Sequence, residues 1–274
     1  MKSYATPKRS KTSRTRPRPR SVWPDGGGSL ASTFLSSLVP RTIAAGAIKS
    51  ESEYRREICA AGRWLLDRGY VGTTDGNLSV RLDAQRILIS PTGISKGCME
   101  PGDLVVVDGD GRRLSGWRQA SSELAMHLLI YRRRPEVNAV CHAHPPVATG
   151  YAAAGVALDK PLLCEVVTTL GTIPLAPFAT PGTRELPDVL EPLIERHDSI
   201  LLANHGVVTC GADLLTAGYR METTEHFARV SLVTEVLGKQ LLLSGEQVNK
   251  LFSARDNHEA PRAPSVPVLS WPQR

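Results

Sequence analysis

The residues best suited to chemistry in this sequence are three histidines at the ends of apolar segments. His142 and His144 are separated by one residue, and His205 follows later in the chain. On an extended strand, residues i and i+2 point to the same face, so His142 and His144 can reach one ion. Three imidazoles with an open fourth position are typical of a catalytic zinc site, whereas structural sites are closed and usually rich in cysteine.

The alternative is that the three histidines only form hydrogen bonds inside a core. An apolar strand offers an imidazole few partners, and an unpaired buried polar group costs about 1–3 kcal/mol. The pattern therefore favours a shared metal ion. Cys141 should face away from both neighbouring histidines and is interpreted as a buried structural thiol. Gly206 would let another group approach close to His205.

Ser121, Ser122 and Glu123 stand where a helix is predicted to begin. Free backbone N–H groups at a helix start bind anions, and the two hydroxyls would add donors for a phosphate. Glu123 has two interpretations. It is a helix-capping residue that suits the helix dipole, or it is an acid/base next to the metal.

Two short polar turns could also hold a phosphate through their backbone amides. One runs over residues 73–79 and contains Asn77, and the other runs over residues 90–93 and contains Thr92 and Gly93. Taken singly, ordinary turn chemistry explains each of them.

Taken together and in order, these segments resemble the class II aldolase/adducin family over about residues 50–250. The matching pieces are Gly76-Asn77-Leu78-Ser79, Ser90-Pro91-Thr92-Gly93, Ser121-Ser122-Glu123, His142-x-His144, Ala179-Thr180-x-Gly182-Thr183-x-Glu185-Leu186 and Asn204-His205-Gly206. The resemblance implies an α/β fold with three α/β/α layers around a central mixed, mostly antiparallel sheet.

The resemblance also implies the site. One Zn²⁺ per subunit, or another divalent ion, would be held by His142, His144 and His205, with Glu123 as a further ligand and the catalytic acid/base. The substrate phosphate would be bound by uncharged groups, namely those of Asn77, Thr92, Gly93, Ser121 and Ser122.

The activity implied is a reversible aldol cleavage of a ketose 1-phosphate, similar to L-fuculose 1-phosphate, into dihydroxyacetone phosphate and an aldehyde. A phosphosugar 4-epimerase, dehydratase or decarboxylase of the same fold is the alternative. The related epimerases carry Asp where Glu123 stands, which favours aldol cleavage here. A non-enzymatic adducin-like binding protein is a further alternative, against which the complete set of histidines and glutamate argues.

One departure from the family concerns a catalytic tyrosine that a neighbouring subunit supplies. It would fall near Leu163–Val166, where no tyrosine is present, and Glu165 is a candidate to replace it. The resemblance further implies a homotetramer.

Charge and composition indicate where the folded domain begins and ends. The net charge of +6 comes from residues 1–50, which hold ten Lys/Arg and one acid, so the rest of the chain is mildly acidic. We expect a disordered basic tail at 1–48, the aldolase-like domain at 49–253 and a proline-rich tail at 254–274. An unselected extension is favoured for the basic tail over a targeting peptide or an arm for nucleic acid or membrane.

We expect no nucleic-acid partner, because the folded part has no basic excess and aromatic residues make up only 5% of the chain. We expect no membrane partner, because no apolar run approaches about 20 residues. The five scattered cysteines, without a C-x-x-C pair, suit a reducing cytoplasm.

The elements that must position the site are predicted from periodicity and turn signals. A helix starts at Glu51 and ends at Gly69, and another spans Ser121–Arg134 with Ser121 or Ser122 as its cap. A single strand, Ile200–Val208, would carry His205. The stretch Pro161–Pro187 is predicted to be rich in loops, and Asp213–Leu243 to form one long helix or two broken near Gly238. His127 would pack the second helix or contact a site residue without binding the metal itself.

Overall fold

The computed structural model describes residues 49–258, with side chains described to residue 255. The predicted basic tail and the proline-rich stretch after residue 258 lie outside the described residues. The last helix continues beyond residue 253, and the predicted domain limits stay predictions. Within this range no helix combines the length and apolar character needed to cross a bilayer.

The centre of the described domain is one sheet of eight strands. In spatial order the strands run β4-β3-β2-β1-β5-β8-β7-β6. Every neighbouring pair is antiparallel except β6 and β7, which are parallel. The strands are β1 Asn77–Arg81, β2 Arg86–Ile89, β3 Val105–Asp108, β4 Arg113–Ser115, β5 Ala139–Ala143, β6 Leu175–Ala176, β7 Ser199–Leu202 and β8 Gly206–Gly211.

Seven α-helices accompany this sheet in the described range. They are α1 Glu51–Asp67, α2 Leu124–Arg133, α3 Pro146–Ala154, α4 Cys164–Thr169, α5 Glu185–Ile194, α6 Leu214–Val236 and α7 Gly245–His258. Two single turns of 3₁₀-helix, Lys96–Cys98 and Pro101–Asp103, lie between β2 and β3.

Each face of the sheet buries its own hydrophobic cluster, as strand alternation requires. On β5, Ala139 and Cys141 belong to the cluster that packs against α1, α3 and α6. Val140 points the other way, into the cluster formed with α2 and α5. Helices therefore cover both faces, and the predicted three-layer fold with a mixed, mostly antiparallel sheet is confirmed.

The prediction of a single strand over Ile200–Val208 is wrong. The chain makes two antiparallel strands, β7 and β8, and His205 lies in the tight turn between them. Asn204 adopts a left-handed conformation with φ of 56° in this turn, a conformation that asparagine tolerates well. The continuous apolar composition hid the turn.

The structure adds detail to two other element predictions and corrects a third. The loop-rich stretch contains α4 and β6, and α6 ends at Val236, close to Gly238, with no second helix up to Leu243. Helix α2 begins at Leu124, so neither serine is its cap. Glu123 takes the N-cap position, and its side chain makes no capping hydrogen bond. The carboxylate is therefore available to contact the neighbouring histidines.

Candidate metal centre and acid–base site

The three histidines converge at one end of the sheet. His142 is on β5, His144 follows the last residue of that strand, and the turn between β7 and β8 supplies His205. Because β5 and β8 pair antiparallel, the turn lies next to the end of β5. One ring nitrogen from each histidine lies within 4.8 Å of the other two, and Nε2 of His144 is 3.2 Å from Nε2 of His142.

Glu123 reaches the same place from the start of α2. Its Oε2 lies 3.1 Å from Nε2 of His142, and its Oε1 lies 3.3 Å from Nε2 of His205. The carboxylate is buried. The structure therefore brings together the four residues that the sequence predicted as metal ligands.

The hydrogen bonds of His142 test whether these residues fit a cation. Nδ1 of His142 donates to the backbone oxygen of Val207 over 2.9 Å, so a neutral ring has a bare Nε2. That lone pair faces a carboxylate oxygen of Glu123 and a nitrogen of His144. Lone pairs so arranged repel one another unless a cation or a proton lies between them. Buried Oε1 of Glu123 and buried Nδ1 of His205 also lack hydrogen-bond partners in the described part of the chain, and the donor set fits a divalent ion.

The electrostatics favour metal binding at neutral pH. Burial lowers the pKa of His144 and of His205 to about 4, and the neighbouring His142 adds to this effect. Both rings are therefore neutral near pH 7, as metal ligands must be.

The other two predicted ligands, His142 and Glu123, influence each other. Burial alone would lower the pKa of His142, but the Glu123 carboxylate raises it above its ordinary value. Burial would raise the pKa of Glu123, yet His142 and His205 hold it far below the usual range of a carboxyl group. Glu123 is therefore a charged base rather than a neutral acid when the site is free.

Cys141 is not part of this centre. Its side chain lies in the cluster on the opposite face of the sheet, as predicted from strand alternation. Burial raises the pKa of its thiol to about 12, so the thiolate needed for metal binding is absent at neutral pH.

Two supporting residues carry signals that were weak in the sequence. Oδ2 of Asp75 lies 3.9 Å from Nδ1 of His144, and only its place in a polar turn marked it. Nε2 of His127, which is predicted to pack its helix or to support the site, lies 2.5 Å from Oδ1 of Asn77. Nδ2 of Asn77 in turn donates to Oε2 of Glu123 over 2.7 Å. His127 therefore contacts a residue that binds Glu123, and its four-residue spacing from Glu123 is the sequence feature that indicates this.

The segments predicted to bind phosphate also meet. The backbone N–H of Thr92 donates to Gln119, and that of Ser121 donates to Ser90. The hydroxyl of Ser90 accepts from the backbone of Leu78, next to Asn77. Thr92, Gly93 and Ser122 are exposed, whereas Asn77 and Ser121 are buried. Phosphate binding by these residues stays a prediction.

Glu165, the candidate replacement for the missing tyrosine, lies in the first turn of α4 with its side chain exposed. Exposure on one subunit is compatible with a contribution to a neighbouring one, and that role also stays a prediction.

Comparison with known proteins identifies the family. Residues 56–232 match the family model for the class II aldolase and adducin N-terminal domain. The chain belongs to the class II aldolase/adducin family. The predicted recognition is confirmed, and the family covers every segment that forms the histidine centre.

Named members of this family share about a third of their residues with the chain. A 5-deoxy-D-ribulose 1-phosphate aldolase of Bacillus thuringiensis is 34% identical over 200 residues, which is 72% of this chain and 92% of the relative. A 3-oxo-tetronate 4-phosphate decarboxylase of Escherichia coli K12 is also 34% identical, over 203 residues, covering 72% of this chain and 95% of the relative.

A solved class II aldolase has the same fold. A structure of an L-fuculose 1-phosphate aldolase superposes with a TM-score of 0.71 at 29% identity, covering 77% of this chain and 100% of the other. Members with different named reactions on phosphorylated sugars are thus similar to this chain. Family membership accordingly supports a lyase-type enzyme acting on a small phosphosugar with a divalent metal.

Proposed function

We propose that this chain is a zinc-dependent aldolase that reversibly cleaves a ketose 1-phosphate, similar to L-fuculose 1-phosphate, into dihydroxyacetone phosphate and an aldehyde. One zinc per subunit would be held by His142, His144 and His205, in a cytoplasmic homotetramer. The observation that carries the proposal is the position of Glu123, whose two carboxylate oxygens lie 3.1 and 3.3 Å from the imidazoles of His142 and His205.

Aldol chemistry needs negative charge to be stabilised on oxygen while a proton moves at the adjacent carbon. A divalent ion held by the three histidines would supply the first requirement as a Lewis acid. Glu123 supplies the second, since its carboxylate is charged and buried next to the same position. In the direction of condensation it removes a proton from the hydroxymethyl carbon of dihydroxyacetone phosphate, and in cleavage it returns that proton.

The substrate is positioned by its phosphate. The turn at Thr92 and Gly93 pairs with the segment that ends at Ser121 and Ser122, directly before α2. Uncharged donors and the N-terminus of α2 would bind the dianion there. Holding the phosphate in this way would fix the reacting carbon near Glu123, and such positioning supplies a large part of many rate enhancements.

A second candidate is decarboxylation of a phosphorylated 3-oxo acid by the same site. The chain's identity of 34% to the E. coli decarboxylase equals that to the aldolase, and the lack of a tyrosine over residues 163–166 favours this candidate. Loss of carbon dioxide forms no aldehyde, so it needs no group to exchange a proton with an aldehyde oxygen. The charged Glu123 and the histidine centre serve both reactions. The products therefore decide between them.

The experiment is a product screen with the full-length, zinc-loaded protein. L-Fuculose 1-phosphate, 5-deoxy-D-ribulose 1-phosphate and other ketose 1-phosphates are tested for dihydroxyacetone phosphate with a coupled NADH assay. In parallel, 3-oxo-tetronate 4-phosphate is tested for release of carbon dioxide. Triose-phosphate release that disappears in Glu123→Gln supports the aldolase. Release of carbon dioxide alone supports the second candidate. If neither product is released, both candidates are contradicted.

A further inference from the structure

A continuous row of buried hydrogen bonds joins helix α2 to strand β1 and ends at Glu123. The hydroxyl of Tyr131 lies 2.8 Å from Oγ of Ser79, and that oxygen lies 2.6 Å from Nδ1 of His127. The contacts of His127 with Asn77 and of Asn77 with Glu123, given above, complete the row. All five side chains are buried, so no bulk water competes for these bonds.

The row exists because two periodicities match. Glu123, His127 and Tyr131 are spaced by four residues, which advances about 6 Å along a helix. Asn77 and Ser79 are spaced by two, which advances about 6.6–6.8 Å along a strand and keeps both on the same face. Side chains from the helix and the strand can therefore alternate along the row. Each side chain inside the row bonds to two side chains of the other element.

The charge on Glu123 sets the direction of the first bonds in the row. A carboxylate only accepts hydrogen bonds, so Asn77 must present its NH₂ group and leave its oxygen toward His127. That oxygen also only accepts, so Nε2 of His127 carries the proton.

The remaining bonds follow from the neutral state of His127. Burial lowers the pKa of this histidine to about 3, with His142 adding to the effect, so Nδ1 is bare and accepts from the hydroxyl of Ser79. The Ser79 oxygen is then left to accept from Tyr131. A single arrangement satisfies every group, and reversing any one bond leaves two like partners facing each other in the interior, where an unsatisfied group costs about 1–3 kcal/mol.

We propose that Ser79, His127 and Tyr131 are positioning residues, which act through Asn77 to hold the Glu123 carboxylate in the orientation that proton transfer requires. The inference rests on the acid/base role proposed for Glu123. Simple packing between α2 and β1 would be served as well by apolar side chains. Polar groups at these positions, in a polarised row, instead fix which oxygen of Glu123 is occupied and which is left toward the substrate.

The kinetic test compares two substitutions at His127, using the substrate found in the product screen. His127→Leu removes both bonds, and we expect kcat to fall about 10–100-fold, the usual range for residues that orient a metal site from behind. KM and zinc per subunit should change less than about threefold. His127→Gln places an amide N–H and an amide oxygen near the two imidazole nitrogens, and should recover most of the lost turnover.

Two further variants guard against a folding artefact. Ser79→Ala removes the donor to His127 with little change in volume, and should reduce kcat in the same direction as His127→Leu. His197→Gln is the matched control, because His197 is half-buried and its Nδ1 donates only to the backbone of Thr172 over 3.1 Å in the described structure. It should leave kcat unchanged.

A readout without substrate separates this inference from the proposed function. ¹⁵N-histidine spectra of the full-length protein should show His127, assigned by its loss in His127→Gln, as neutral with the proton on Nε2. A crystal structure of Ser79→Ala should show the Asn77 amide or the Glu123 carboxylate rotated.

Each outcome bears on one of the two proposals. If the spectra and the crystal structure are as expected but no substrate turns over, the proposed function fails while the orientation of Glu123 stands. A proton on Nδ1 of His127, an unmoved Glu123 in Ser79→Ala, or equal kcat losses in His127→Leu and His127→Gln would overturn the positioning role.

Discussion

Asn77 on β1 pairs directly with His142 on β5, so the residue that donates to Glu123 is the cross-strand neighbour of a predicted metal ligand. Both side chains lie on the face that α2 covers. One oxygen of Glu123, Oε2, is 2.7 Å from Asn77 and 3.1 Å from His142. A slip of one residue between the two strands would turn Asn77 to the opposite face. The register of β1 and β5 therefore links the metal position to the acid/base.

Glu123→Gln should separate the acid/base role from metal binding. The three imidazoles remain, so we expect one zinc per subunit, whereas kcat should fall by two or more orders of magnitude because an amide cannot accept the proton. Zinc content and kcat are measured on the same preparation. The control is Glu246→Gln, an exposed residue on α7 that pairs with Lys250. Normal turnover in Glu123→Gln would refute the role.

His205→Ala tests whether the turn between β7 and β8 supplies a metal ligand. With one imidazole removed, purified protein should hold only a small fraction of one zinc per subunit and lose activity. A chelator should likewise lower the Tm of the wild-type protein, since an ion that binds only the folded state stabilises it. Elemental analysis of His226→Ala, which changes an exposed histidine on α6, gives the control. Full zinc content in His205→Ala would contradict the three-histidine centre.

Sequence patterns predicted those parts of the site that depend on local geometry. His142 and His144 share a face because a strand has a period of two residues, and the two lie 3.2 Å apart. His205 lies near the other two histidines as predicted, but in a turn between two strands instead of within one strand. Asn204 and Gly206 flank His205 and are ordinary turn residues, but the apolar residues on both sides favoured one continuous strand.

The hydrogen bonds that hold Glu123 depend on the register of the paired strands and could not be predicted from periodicity. Nothing within residues 75–80 reveals that Asn77 will lie opposite His142, because strand pairing is a long-range property. The sequence predicts that Asn77 binds phosphate, but its oxygen accepts from His127 and one N–H donates to Glu123. These two bonds leave one N–H of the amide unassigned, so phosphate binding by Asn77 stays a prediction.

Gly206→Ala should disturb the metal centre because the added methyl group overlaps with neighbouring atoms. A Cβ at this position would lie 2.5 Å from Cδ2 of His144 and 2.7 Å from the backbone oxygen of Ala143. The imidazole must then move, and overpacking of this kind costs about 1–3 kcal/mol. We expect a lower Tm and weaker zinc binding, measured by thermal unfolding and by titration with a competing chelator.

The matched control is Gly150→Ala on α3. No atom lies within 4 Å of a Cβ added at Gly150, so this helical glycine should accept alanine and gain about 0.5–1 kcal/mol. Unchanged zinc affinity in Gly206→Ala would show that His144 can be displaced without cost, which would argue against a tightly built site.

Lys96 should make stability depend on pH in the alkaline range. Its side chain is buried, and Nζ donates to the backbone oxygens of Thr74 and Ile94 over 3.0 and 2.7 Å. Burial lowers its pKa to about 8, an effect that Asp75 only partly opposes. In the unfolded chain the pKa returns to about 10.4.

The sign follows from which state binds the proton more tightly. Between about pH 8 and pH 10.4 the unfolded chain holds more protons than the folded one, so the contribution of Lys96 to the free energy of unfolding rises with pH. We expect the difference between wild type and Lys96→Met to move in favour of wild type by about 2–3 kcal/mol across this window, and to be flat below it. Urea unfolding at about pH 7, 8.5 and 10 measures the difference, with the exposed Lys250→Met as control. A constant difference at all three pH values would mean that Lys96 keeps its ordinary pKa in the folded protein.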